Sequence, residues 1–161
     1  RAIRDVYKRQ TIYIKLVFAM IEHLKKKNHK TIKILGNIWL NANLDTHTFI
    51  DSFYWIDNYT TVLDALKDAD VYVYKNGKDI VAFCGLNDTY IAGLFVKEEF
   101  RDQGIGHALI KHLQSEYDYL SLKVFEENHR AVHFYTDLGF IKIDANIDKT
   151  NHTELLMAWK K

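Results

Sequence analysis

Proline is missing from all 161 residues, so no segment reads as a rigid linker between domains. Cysteine occurs once, at Cys84, which excludes an internal disulfide framework. A lone cysteine suits a reducing cytosol, so a cytoplasmic location is expected. A membrane-spanning helix needs a run of about 18 apolar residues. None is present, and the longest apolar stretch near the start, Thr11 to Ile21, is broken by Lys15. A secretory signal is disfavoured too, because Asp5 and Lys15 interrupt its pattern and no small-x-small site follows. Large net charge is also absent, with 22 Lys/Arg against 21 Asp/Glu. The distribution is uneven: residues 1–30 hold nine basic side chains against Asp5 and Glu22, and the rest holds 13 against 19 acidic. A mildly acidic body argues against a nucleic-acid surface and favours a cationic partner, although a plain solvated surface has the same composition.

What is present fits one globular domain: 48% of residues are hydrophobic and 27% charged, enough for an ordinary core with a solvated exterior. Residues 1–19 have no clear period, and Arg4 to Gln10 resembles the translated remnant of a sequencing adapter. They are expected to form a non-native or disordered extension, with residues 20–161 as the single domain. From Met20 the pattern is legible. Ile21 to Lys25 suits a short strand. Asn28 is a candidate helix cap before apolar residues spaced by three and four from Ile32 to Leu40. A second helical stretch covers Thr61 to Ala69. The period then shortens: Val71 to Tyr74 and Ile80 to Cys84 flank Asn76-Gly77, a favoured hairpin turn, and Asn87-Asp88 precedes a third strand from Tyr90 to Val96. Gly104 to Tyr117 and Asn128 to Leu138 read as helices, the latter closed by Gly139. Tyr119 to Val124, Phe140 to Ile143 and Thr153 to Trp159 complete the strands. The strand–helix–strand run from 90 to 124 requires one parallel pair. The expected class is therefore α/β (α+β): a mixed, mostly antiparallel sheet flanked by helices.

Phe100 to His107 joins a strand to a helix and contains Arg101-Asp102-Gln103-Gly104-Ile105-Gly106. Free N–H groups and the positive dipole end of a helix start attract anions, and glycines admit a close ligand. The segment can cradle a phosphate or pyrophosphate, or serve only as a tight turn. It is neither a Walker loop nor the dinucleotide G-x-G-x-x-G.

Arg101-x-x-Gly104-x-Gly106, after a strand ending Leu94-Phe95-Val96, resembles the acyl-CoA-binding motif of the GNAT superfamily of N-acetyltransferases. A second match follows in the expected order: Asn128-x-x-Ala131-x-x-Phe134-Tyr135-x-x-x-Gly139-Phe140. The resemblance covers roughly Met20 to Lys160. It implies acetyl-CoA as cosubstrate and no metal. It implies that backbone N–H groups from Asp102 through His107 hold the pyrophosphate, with Gln103 and Ile105 inside that stretch. Arg101 takes the motif's first position, Leu94, Phe95 and Val96 pair with the pantetheine arm, and Asn128 contacts the cofactor. Tyr135 matches the family's usual general acid; its other reading is a core tyrosine. A phenol of pKa about 10 stays protonated at neutral pH and can donate to a departing thiolate.

The proton-accepting side departs from the pattern, because Ala92 stands where many members carry Glu or Asp. The Asp45 to Phe49 segment offers His47 as a substitute base, or as a pocket wall or capping residue. Asp51, Tyr54 and Trp55 are candidate walls of an amine pocket, where aromatic faces favour a cation; plain core is the alternative. His129 and His133 have a helical metal spacing, but nothing nearby completes a ligand set. The expected activity is acetyl transfer to a primary amine of a small molecule or peptide by direct attack. A non-catalytic acyl-CoA-binding module and an RNA-directed acetyltransferase are the alternatives. No nucleic-acid or membrane partner is expected, and a homodimer is left open.

Overall fold

Helices lie over both faces of the central strands, and the burial pattern of those strands shows why. The computed structural model describes residues 2–161. In chain order these form α1 (Ala2–Ala19), β1 (Ile21–His23), α2 (His29–Thr46), α3 (Ser52–Asp57), α4 (Tyr59–Asp68), β2 (Asp70–Asn76), β3 (Asp79–Asn87) and β4 (Tyr90–Val96). A 3-10 turn (Glu98–Phe100), α5 (Ile105–Glu116), β5 (Tyr119–Phe125), α6 (His129–Asp137), β6 (Ile141–Ile147) and β7 (Thr153–Lys160) follow. The strands make one sheet in the order β1-β2-β3-β4-β5-β7-β6, and only the β4–β5 pair is parallel. The mixed, mostly antiparallel sheet with one parallel pair is thus as expected.

Side chains alternate between the two faces of a strand, which divides the core in two. Val71, Val73 and Phe83 pack under Ile32, Leu35 and Ile38 of α2 and Leu66 of α4. Tyr72, Cys84, Leu86 and Ile91 face the other way, onto Leu109 and Leu113 of α5 and Tyr135 of α6. Each fully buried Leu or Ile contributes roughly 1.5–3 kcal/mol, so α2 and α5 hold the sheet from opposite sides.

Local chemistry sets the element ends. Asn28 caps α2 by accepting from Thr31 N at 2.8 Å. Gly139, at φ 90°, closes α6 in a left-handed turn: Phe140 N donates to Tyr135 O and Gly139 N to Thr136 O, both at 3.0 Å. The first hairpin lies one residue later than Asn76-Gly77. Asn76 pairs with Asp79, so the two-residue loop is Gly77-Lys78, with Gly77 supplying the positive φ that its first position needs. The helix α3 was not anticipated; its six residues are too few to show a period. Residues 2–19, read as an extension, carry α1, which touches α5 and β1 and leaves Ile3, Tyr7, Tyr13 and Leu16 exposed.

Two irregularities position the site. Between Gly85↔Gly93 and Leu86↔Ile91 the β3–β4 register slips, leaving Ala92 as an extra residue on β4. A bulge of this kind bends its strand and increases its twist. The β4–β5 ladder stops at once: only Tyr90↔Ser121 and Ile91↔Leu122 pair. Beyond Ile91 the two parallel strands part, and a cleft opens in the middle of the sheet.

Candidate active site

The cleft, of about 550 Å³, is bounded by Leu94, Phe95 and Val96 of β4, the 101–107 loop, and Asn128, Ala131, Phe134 and Tyr135 from the start and inner face of α6. The C-terminal end of α2, with Ala42, Thr46 and His47, closes another side. Most of the residues singled out in the sequence therefore meet in one place. Gln103, Asp51, Tyr54 and Trp55 do not line it.

The loop is built to leave donors unpaired. Asp102 (φ 61°) and Gly104 (φ 79°) are both left-handed, and no side chain caps α5. The first backbone bond of the helix is Ala108 N to Gly104 O, at 3.0 Å. Among the described residues, the N–H groups of residues 102–107 make no hydrogen bond to a carbonyl or side chain. Successive unpaired N–H groups at the positive end of a helix form an anion cradle, and they fit the diphosphate of an acyl-CoA. A Cβ on Gly106 would meet Leu94 and Phe134 side chains at 3.4 and 3.5 Å, so this glycine forms part of the cleft floor.

Arg101 turns away from the cradle. Its Nε donates to Val96 O at 3.1 Å and its guanidinium reaches Asp45 Oδ2 at 3.3 Å, fastening the end of β4 to α2. A second cation at the cradle, not expected from the sequence, is Arg130. It lines the cleft and pairs with Asp102. A basic residue in the first turn after Asn128 was the available signal.

Tyr135 is 8% exposed and packs against Phe134 and Phe140. Among the described residues its hydroxyl makes no hydrogen bond. Burial, with the neighbouring Cys84 as a smaller cause, pushes its pKa upward, so the phenol is fully protonated at neutral pH. Cys84 is itself fully buried, and burial pushes its thiol pKa well above the ordinary thiol range, which makes it a core residue and no nucleophile.

His47 sits between two amides. Its Nδ1 lies 2.8 Å from Asn43 Oδ1, and its Nε2 lies 3.1 Å from Asn128 Nδ2. An amide oxygen accepts and an amide nitrogen donates, so the ring is neutral, with its proton on Nδ1. Asn43 is buried and donates on to Trp39 O at 2.9 Å, while Asn128 Oδ1 accepts from Ala131 N at 3.2 Å. The chain of bonds ties the end of α2 to the start of α6. Burial lowers the His47 pKa to about 4. Trp55 stacks on the ring at 5.4 Å, and Phe49 and Phe125 meet its edges. Asp51 caps α3 through Phe53 N at 2.9 Å, and Tyr54 packs on Trp55 with Lys149 5.7 Å from its ring centre. His133 pairs with Asp137 at 3.2 Å, and no three His, Cys, Asp or Glu cluster for a metal among the described residues. No helix there is long and apolar enough to cross a membrane.

Comparison with known proteins agrees with this geometry. Residues 67–142 match the family model of the acetyltransferase (GNAT) domain. The chain is 28% identical over 139 residues to peptidyl-lysine N-acetyltransferase YiaC of Escherichia coli, covering 84% of this chain and 95% of the relative. It is 30% identical over 122 residues to peptidyl-lysine N-acetyltransferase YjaB of the same organism, covering 75% and 83%. The solution structure of apo YjaB from Escherichia coli superposes with a TM-score of 0.76 at 26% identity, over 86% of this chain and 95% of that one.

Proposed function

Because the chain belongs to the GNAT acetyltransferase family, we propose that it transfers an acetyl group from acetyl-CoA to the side-chain amine of a lysine in a peptide. The family makes it an acetyl-CoA-dependent N-acetyltransferase, and transfer to an amine follows from that. The lysine acceptor is supported by the two relatives named peptidyl-lysine N-acetyltransferases and by a mildly acidic body suited to a cationic partner.

One observation carries the mechanism: the Tyr135 hydroxyl, protonated and without an internal hydrogen bond, shares its cleft with the unpaired N–H groups of residues 102–107. The bound cosubstrate supplies an activated acetyl thioester with a thiolate leaving group. The cradle at the start of α5 holds the diphosphate, with Arg130 beside it. The β4 edge from Leu94 to Val96, freed from β5, offers N–H and C=O groups to the pantetheine amides. Tyr135 gives its proton to the departing sulfur; its raised pKa means that the phenol still carries that proton at neutral pH when the thiolate develops. His47 holds Asn128 and so fixes the start of α6, on which Tyr135 rides. With both ring nitrogens engaged, it serves as a positioning residue and leaves the acceptor's proton to another group.

The test is thiol release from acetyl-CoA with a lysine-containing peptide, set beside a free polyamine and free lysine. The reading expects release with the peptide and one acetyl group on its lysine side chain. Release with only the small amines, or with no amine, would contradict it.

A further inference from the structure

Ala92 leaves β4 without an acid, and the structure offers one from the opposite side of the cleft. In an antiparallel ladder directly opposed residues share a face. Glu154 of β7 pairs with Phe125 of β5, so its side chain stands beside that ring. The β4–β5 pair Tyr90↔Ser121 puts Tyr90 on the face of Ser121, Lys123 and Phe125. Phe125 in turn meets His47 at 5.4 Å and Phe49 at 5.6 Å. Its carbonyl accepts from Asn128 N at 3.0 Å, which ties it to a residue that lines the cleft. Glu154 therefore stands where the aromatic wall around His47 meets the parted strands.

The neighbouring acids are already committed. Asp45 pairs with Arg101, Asp51 caps α3, and Glu127 holds His152 at 2.6 Å. Asp148 accepts from Thr150 and from the backbone of residues 150 and 152, and Glu126 is exposed. Glu154 alone among them is half-buried with no hydrogen bond or ion pair among the described residues. An unpaired carboxylate beside aromatic rings is suited to an ammonium group.

We infer that Glu154 receives the acceptor ammonium and takes its proton, filling the role left open at Ala92. This rests on the acetyl-transfer reading above. The ammonium loses one proton to the Glu154 carboxylate, and its freed electron pair forms the N–C bond to the thioester carbon. The C–S bond then breaks, and the sulfur takes the Tyr135 proton. The second proton lost by the nitrogen restores Tyr135, while Glu154 returns its own to solvent. One ammonium and one acetyl thioester thus become one amide, one thiol and one proton. Burial raises the Glu154 pKa; Asp148 adds to this and Lys123 opposes it, with Tyr90 as the facing group from β4.

The test compares wild type and Glu154→Gln for peptide acetylation between about pH 6 and pH 10. The wild type should show a plateau in kcat/KM between the carboxyl pKa and the amine pKa. The variant should fall by about 10²–10³-fold at neutral pH and rise with slope one toward the amine pKa, with unchanged acetyl-CoA affinity. A variant with the wild-type rate and profile overturns the inference and leaves acetyl transfer intact. A wild type that acetylates no amine refutes the transfer reading, and the inference with it. If Glu154→Gln does not fold, Glu154→Asp decides: a rate at least about tenfold lower with the plateau kept supports the inference, and an unchanged rate overturns it.

Discussion

His47 holds its neutral ring at a cost that pH exposes. Its pKa is about 4 in the folded chain against an ordinary 6.5. Between those values the unfolded chain binds more protons, so stability is complete above about pH 6.5 and declines as pH falls toward 4. With allowance for the partly exposed ring, the loss is of order 2 kcal/mol. Denaturant unfolding at pH 7.5 and pH 5 should therefore show a larger acid loss for wild type than for His47→Gln; equal losses would mean the ring is not held neutral. At the same scale, Asn128→Ala removes both the His47 bond and the α6 cap, and should cost about 1–2 kcal/mol. Cleft residues were legible because Arg101, Gly104, Gly106, Asn128 and Tyr135 lie in short motifs. The His47–Asn128 bond was not, because it joins residues 81 apart in sequence. For the same reason Arg101 could be placed in the loop from its motif, yet not seen to reach Asp45.

Elements explain why the two loop glycines should respond differently to alanine. Gly104 is left-handed at φ 79° with open space around a Cβ, so alanine there pays only the backbone penalty, about 1–2 kcal/mol. Gly106 lies inside α5, where alanine is favoured by about 0.5–1 kcal/mol, and its Cβ would make ordinary contacts with Leu94 and Phe134. Gly104→Ala should therefore lower stability and acetyl-CoA affinity together. Gly106→Ala should keep or raise stability while weakening acetyl-CoA binding about tenfold through a narrowed floor. Calorimetry for binding and unfolding curves for stability separate the two. Helix and strand existence was mostly written in local periods. The hairpin offset by one residue and the bulge at Ala92 were not, since both depend on strand register, and α3 was not because six residues are too few to show a period.

At the scale of the molecule, the parted β4 and β5 turn a sheet into an enzyme: the chain presents unpaired donors on one side of the opening and His47, with its aromatic neighbours, on the other. The order β5-β7-β6, which brings Glu154 beside Phe125, is a long-range arrangement that no local pattern announces. The helix α1 stands apart from this machinery, since its main contacts are with α5 and β1 and most of its described side chains are exposed. A chain beginning at Met20 should bind acetyl-CoA with affinity within about threefold of the full chain and lose less than about 1 kcal/mol of stability; a larger loss of affinity would place α1 in the working unit. The most direct measurement of the whole account is Tyr135→Phe, read as kcat for lysine-peptide acetylation alongside acetyl-CoA affinity. The account predicts a fall in kcat of about 10²–10⁴-fold with affinity nearly unchanged. Turnover equal to wild type would contradict it.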